Sequence, residues 1–174
     1  MAKPYEDFRR FALDVYRSEG VSPATLLLQD RSGVDVNVLL LAAFVGAARG
    51  LSFTSQDCET VGSRTRPWQN EVVGPLRALR LRLKNGPPPA PSAATAELRD
   101  RVKTLELDAE MIELDELADL AVTLAGPAAP GAADERAWAA IHVVVHDASG
   151  REPNADERAA IALIASAAAR FGKE

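Results

Sequence analysis

Apolar positions recur along this chain mainly at helical spacing. Phe8, Phe11, Ala12, Val15 and Tyr16 form one stripe after Pro4, and Gly20 closes it. Ser22-Pro23 marks a second start, for a short helix over 24–30 that ends near Gly33. Asp35 stands as an N-cap before a helix over 36–49, and nearly every position from Val38 to Val45 is apolar. A helix apolar all round belongs at the centre of a bundle. Gly46 and Gly50 would allow a close backbone approach there, although Gly50 also reads as a helix end.

Thr54 or Ser55 begins a helix to about residue 63. Trp68, Val72, Leu76, Leu79 and Leu83 then mark another stripe, with Pro75 inside it as a kink or division. Asn85-Gly86 ends that helix, and Pro87-Pro88-Pro89-Ala90-Pro91 reads as a semi-rigid linker. Beyond it a long helix over 92–124, with room for one break, carries Leu98, Val102, Leu105, Ala109 and Ile112 on one face. A second linker runs from Gly126 to Gly131. Two further helices follow, over 134–145 and 155–171, the latter capped by Asn154; Val143-Val144-Val145 is also compatible with a strand. The expected fold is all-α, a multi-helix bundle of six to eight helices with a Pro-rich linker. The bundle domain spans 1–125, and 126–174 form a two-helix C-terminal extension.

Charge narrows the function classes. The 174 residues carry 20 Lys and Arg against 25 Asp and Glu, a net −5, which argues against a nucleic-acid binder. Aromatic residues are only 5%, too few for a base-stacking platform. Cys58 is the single cysteine, so no intramolecular disulfide forms. Charges interrupt the start Met1-Ala2-Lys3-Pro4-Tyr5-Glu6-Asp7, unlike a signal peptide. The apolar run Val38–Ala48 is well short of the roughly 20 residues that span a bilayer. These features predict a cytoplasmic protein without a membrane span.

Three blocks carry a family resemblance. The first is Leu26-Leu27-Leu28-Gln29-Asp30 with Gly33-Val34-Asp35-Val36-Asn37-Val38-Leu39-Leu40. The second is Pro67-Trp68, Val72-Val73 and Pro75-Leu76-Arg77-Ala78-Leu79-Arg80 with Leu83-Lys84. The third is Arg101, Val102-Lys103, Glu106-Leu107 and Ala109-Glu110. In this order they resemble a family of small proteobacterial proteins catalogued as a domain of unknown function, over roughly residues 5–115. The resemblance implies a cytosolic, all-helical domain and no particular activity.

Four polar groups carry candidate chemistry. Gln29, Asp30, Asp35 and Asn37 gather at the junction of two apolar helices, either as helix caps or as a ligand site. Arg77, Arg80 and Lys84 share a helix side, with Arg64, Arg66 and Arg82 nearby. The following helix is acidic, through Glu106, Asp108, Glu110 and Glu113 among others, so the two helices are expected to pair. Glu106, Glu110 and Glu113 share a face but lack the His partner of a di-iron helix, and Arg99 and Lys103 lie close enough for local ion pairs. His142 and His146, four apart, have metal-ligand spacing but no third ligand in sequence. Cys58 has no neighbouring His, Ser63 lacks a nucleophile elbow, and no phosphate loop or dinucleotide fingerprint occurs.

No metal site or cofactor is assigned on these grounds. The expected function is a non-enzymatic module that binds a protein partner or itself. The alternative is a small-ligand binder or enzyme whose pocket uses Asp35, Asn37, Trp68, Arg77 and Arg80. Convergence of those five side chains would favour the alternative, and their dispersal into caps and ion pairs would favour the module.

Overall fold

A computed structural model describes residues 4–172, with side chains from residue 7. The opening Met1-Ala2-Lys3 of the leader reading lies outside the described residues. The fold is all-α. The elements run α1 (Pro4–Arg17), α2 (Val21–Ser32), α3 (Val36–Ala47), α4 (Ser55–Trp68), a π-helical segment (Gln69–Val73), α5 (Gly74–Asn85), α6 (Ala93–Thr123), α7 (Ala133–Ser149) and α8 (Ala155–Arg170). Val143-Val144-Val145 lies inside α7, and α6 runs unbroken for 31 residues.

The chain divides into two compact units, residues 1–61 with 115–174, and residues 62–114. The boundary expected at 126 does not coincide with this division. The Gly126–Gly131 segment has the composition of a linker, but its backbone is engaged. The Ser52 N–H donates to Pro127 O at 2.9 Å, and the Ala129 N–H donates to Gly50 O at 2.9 Å. The physical reason is α3. Val38 to Gly46 are all buried, so the helix needs cover on every side. That cover comes from α1, α2, α7 and α8, with α7 also packing on α8. The two C-terminal helices therefore complete the first unit instead of extending it.

Local sequence explains how this unit closes. Phe8 and Phe11 of α1 set their rings 5.4 and 5.2 Å from Phe44 of α3. A Cβ on Gly46 would meet the Arg136 carbonyl oxygen at 2.6 Å, so glycine is what lets α3 and α7 touch backbone to backbone. Arg136 Nε adds a 3.0 Å hydrogen bond to Gly46 O across the same contact. At the other edge the Glu157 side chain is fully buried in an ion pair with Arg151, whose two terminal nitrogens reach it at 2.8 and 2.7 Å. Ser32 Oγ of α2 donates to it at 2.8 Å, and the Asn154 N–H donates at 2.7 Å. The hydrogen bonds from Arg151 come first in holding this carboxyl down at about 2, against the opposing effect of burial. Asn154 Oδ1 accepts the Glu157 N–H at 3.1 Å, so one Glu both starts α8 and ties it to α2.

In the second unit α5 and α6 are joined by the Pro-rich segment 87–91. Ser92 and Thr95 start α6 by reciprocal bonds: the Thr95 N–H donates to Ser92 Oγ at 3.2 Å, and the Ser92 N–H to Thr95 Oγ1 at 2.8 Å. The division expected at Pro75 falls just before it. Pro75 is the second residue of α5, where a missing N–H costs nothing, and the irregularity is the π-helical segment.

Candidate functional site

The best-defined polar arrangement lies in the second unit. Arg77 Nε donates to Glu106 Oε1 at 3.0 Å, and Arg77 Nη2 to Glu110 Oε1 at 2.6 Å. Arg80 also binds Glu106, through both Nε and Nη2. Glu106 is 5% exposed. Burial opposes its charge, but the bonds from Arg80 and Arg77 outweigh that and hold the carboxyl below its usual range. One carboxylate thus joins two arginines one helical turn apart on α5. Two turns beyond Glu106 along α6, Gln69 Nε2 donates to Glu113 Oε2 at 2.7 Å, and Glu113 is 2% exposed. Trp68, where α4 gives way to the π-helical segment, is half-buried and donates from Nε1 to Ala109 O at 3.0 Å.

This arrangement is chemically closed. The Arg77 and Arg80 guanidinium groups are committed to carboxylates of the same hairpin, which lowers their use for a phosphate or another anion. The acidic and basic helices therefore pair with each other. Lys84 is exposed near the end of α5.

The group at the α2–α3 junction lies in the other unit. Asp35 Oδ1 accepts the Asn37 N–H at 2.9 Å, and Asp35 has extended backbone as the N-cap of α3. Gly33, at φ 68°, ends α2 by donating its N–H to Gln29 O at 3.0 Å. Asp30 is exposed, and Gln29, Asp35 and Asn37 are half-buried. Asp35 and Asn37 thus belong to one unit and Trp68, Arg77 and Arg80 to the other, so neither unit by itself assembles the five-residue pocket. A cavity of about 580 Å³ in the first unit is lined by Phe44, Arg49, Ala121, Ala168 and Phe171 among others, and by none of the sequence-chosen residues.

The remaining candidates have local partners. The Cys58 thiol is buried, and burial, followed by the nearby Asp147 and Asp57 charges, pushes it up to about 12. It stays protonated, unlike a nucleophilic cysteine. His142 stacks on Trp138, with ring centroids 4.9 Å apart, and its Nε2 lies 3.1 Å from Glu152 Oε2. His146 Nε2 lies 3.6 Å from Glu152 Oε1. Among the described residues no group of three or more His, Cys, Asp or Glu side chains is arranged to hold a metal ion.

Two features were missed from sequence. The Ser32–Arg151–Glu157 cluster was signalled only by Asn154 standing three residues before Glu157, a capping-box spacing that reads as local. The other feature is a surface. Of ten exposed large apolar side chains among the described residues, six fall in the second unit: Leu79, Leu81, Leu98, Leu105, Leu107 and Ile112. Leu98, Leu105 and Ile112 share their stripe with Val102 and Ala109, which are buried.

A family model matches residues 7–117, close to two thirds of the chain. The chain belongs to the family described as "Protein of unknown function (DUF2390)". The match contains most of α1, all of α2 to α5 and most of α6, and with them the whole second unit. It stops before α7 and α8, although α3 inside the match is covered by both. Searches of curated proteins and of solved structures gave no match. Among the described residues no helix is long and apolar enough to cross a membrane.

Proposed function

We propose that this protein is a docking module that works by binding protein, and that the α5–α6 hairpin is its docking element. One observation carries this reading: six large apolar side chains of the second unit are exposed, while Arg77, Arg80, Glu106 and Glu110 are turned onto each other. Exposed apolar patches rimmed by polar residues mark interaction surfaces on folded proteins. The dispersal of Asp35 and Asn37 into a helix start, and of Arg77 and Arg80 into ion pairs, supports a module over a ligand pocket.

The test is capture from native lysate on immobilised full-length chain, with Leu81→Glu/Leu107→Glu as the comparison. Both side chains are exposed, so this variant is expected to keep its circular dichroism spectrum and lose the captured proteins. Equal capture by both proteins would sink the hairpin as the docking element. A stoichiometric small molecule in the purified chain, with no captured protein, would favour the alternative pocket.

A further inference from the structure

We infer that the exposed face of α6 pairs with a second copy of the same helix, antiparallel, about a two-fold axis at Leu105. This deepens the docking reading above and rests on it. Leu98, Leu105 and Ile112 recur every seven residues along α6 and are 45%, 55% and 57% exposed. Their neighbours on the same stripe, Thr95, Val102 and Ala109, are buried. The apolar face of α6 is therefore split lengthwise. One half is packed within the chain, and the other is a straight seam about 21 Å long at the helical rise per residue. A seven-residue repeat is the spacing that holds a side-chain row against a partner helix.

The seam is symmetric about its centre. Leu98 lies seven residues before Leu105 and Ile112 seven after it, so antiparallel pairing sets each Leu98 against the other copy's Ile112 and Leu105 against itself. The charges select the same direction. Arg101 and Asp108, both exposed, flank the seam on one side, four residues before Leu105 and three after it. In the antiparallel arrangement each Arg101 meets the other copy's Asp108, twice per dimer. A parallel two-fold instead sends the two copies of Arg101 to opposite flanks of the seam, where each faces the Val102 and Ala109 side of the other copy and meets no opposite charge. A chain whose apolar row and flanking charges are complementary to their own two-fold image has a second copy as its natural occupant. Three half-exposed side chains form a small core beside the roughly 800 Å² that each partner gives to a standard interface. The expected assembly is therefore weak and concentration-dependent.

Sedimentation equilibrium of the purified full-length chain across a wide concentration range tests this. Wild type is expected to move from one chain toward two, and Leu105→Lys, which sets two charges on the axis, to stay at one chain with an unchanged far-ultraviolet spectrum. Arg101→Glu and Asp108→Arg singly are expected to weaken the dimer on the order of ten-fold, because each replaces two attractions by two repulsions. The double charge reversal is expected to restore it. A mass of one chain at every concentration overturns the proposal. So does a dimer indifferent to Leu105→Lys, or one that the double reversal does not rescue. A monomer that still captures protein through Leu81 and Leu107 refutes the dimer and leaves the docking reading standing. A monomer that captures nothing removes both.

Discussion

The two units solve the burial problem in opposite ways. The first unit puts its aromatic and branched residues inside: Phe8, Phe11, Leu39, Leu41, Ile141, Ile161 and Ile164 are fully buried around α3. The hairpin leaves Leu79, Leu81, Leu98, Leu105, Leu107 and Ile112 outside, and buries the carboxylates Glu106 and Glu113 instead. A buried, hydrogen-bonded charge cluster fixes a geometry without adding much net stability. Exposed leucines likewise add little to a fold. The contrast sets a part that hides its large apolar residues beside a part that leaves six of them outside, and this is what supports the docking reading proposed above.

The largest effect that would break this contrast is removal of the C-terminal helices. Truncation after Gly126 takes α7 and α8 from α3 and bares a helix that is apolar all round. The truncated chain is expected to aggregate or to lose cooperative melting of the first unit, read by light scattering and circular dichroism. A cooperative transition near the wild-type temperature would show that α1 to α3 hold together alone and that the tail is an appendage after all.

Next in size is Glu157→Ala, expected to cost about 2–3 kcal/mol because it leaves the buried Ser32 hydroxyl and the head of α8 without their acceptor, while Arg151 and Asn154 are exposed and turn to water. Acid sharpens the point. The carboxyl lies at about 2 when folded, against an ordinary value of 4.5, so its contribution is complete above about pH 5. It is lost as pH falls through the interval from 4.5 toward 2. Chemical denaturation at several pH values is expected to show wild type weakening across that window and Glu157→Gln weakening less, from a lower starting stability. Parallel curves for the two proteins would mean that the bonds from Arg151, Ser32 and Asn154 do not couple α8 to α2.

The hairpin counterpart is Trp68→Ala. A fully buried indole costs about 3–5 kcal/mol on such a change. Trp68 is half-buried and makes one hydrogen bond, so about 2 kcal/mol is expected, and about 1 kcal/mol for Trp68→Phe, which removes the bond to Ala109 O and keeps one ring of the half-buried side chain. Urea denaturation of both variants checks this. A loss as large as that of Phe44→Ala, in the first unit's core, would erase the difference between the units.

The legibility of the molecule in its sequence follows the same contrast. Period and caps were local signals and were readable: Asp35 before α3, Asn154 before α8, and the opposite charges of α5 and α6. What the local pattern does not carry depends on tertiary cover. Gly126–Gly131 has linker composition, and only the need to cover Val38–Gly46 on all sides shows why the chain returns to the first unit. Leu98, Leu105 and Ile112 share a stripe with Val102 and Ala109, and periodicity alone cannot tell which half of a stripe is covered within the chain. As for the candidate site, sequence named the arginines and the carboxylates, but it did not say that they would satisfy each other and leave the leucines outside.

The smallest effect compares one helix start in each unit. Asp35 Oδ1 takes an N–H at the head of α3, and Ser92 Oγ takes one at the head of α6. Replacing either by Ala is expected to cost about 1 kcal/mol, the usual value of an N-cap. The local chemistry is alike, but the surroundings are not: α3 is the most enclosed helix of its unit, while Ser92 begins a helix with a bare leucine row. Native-state amide exchange reads each unit by its own residues. Asp35→Ala is expected to speed exchange through α1 to α3, α7 and α8, because these pack as one body, and Ser92→Ala to speed it in α6 near the cap and in α5 alone. If Asp35→Ala loosens only the first turn of α3, the first unit is less cooperative than its packing implies. If Ser92→Ala loosens Phe8, Leu39 and Ile141 as much as Val102, the hairpin shares the stability of the first unit, and its exposed leucines are the outside of one body instead of a separate docking part.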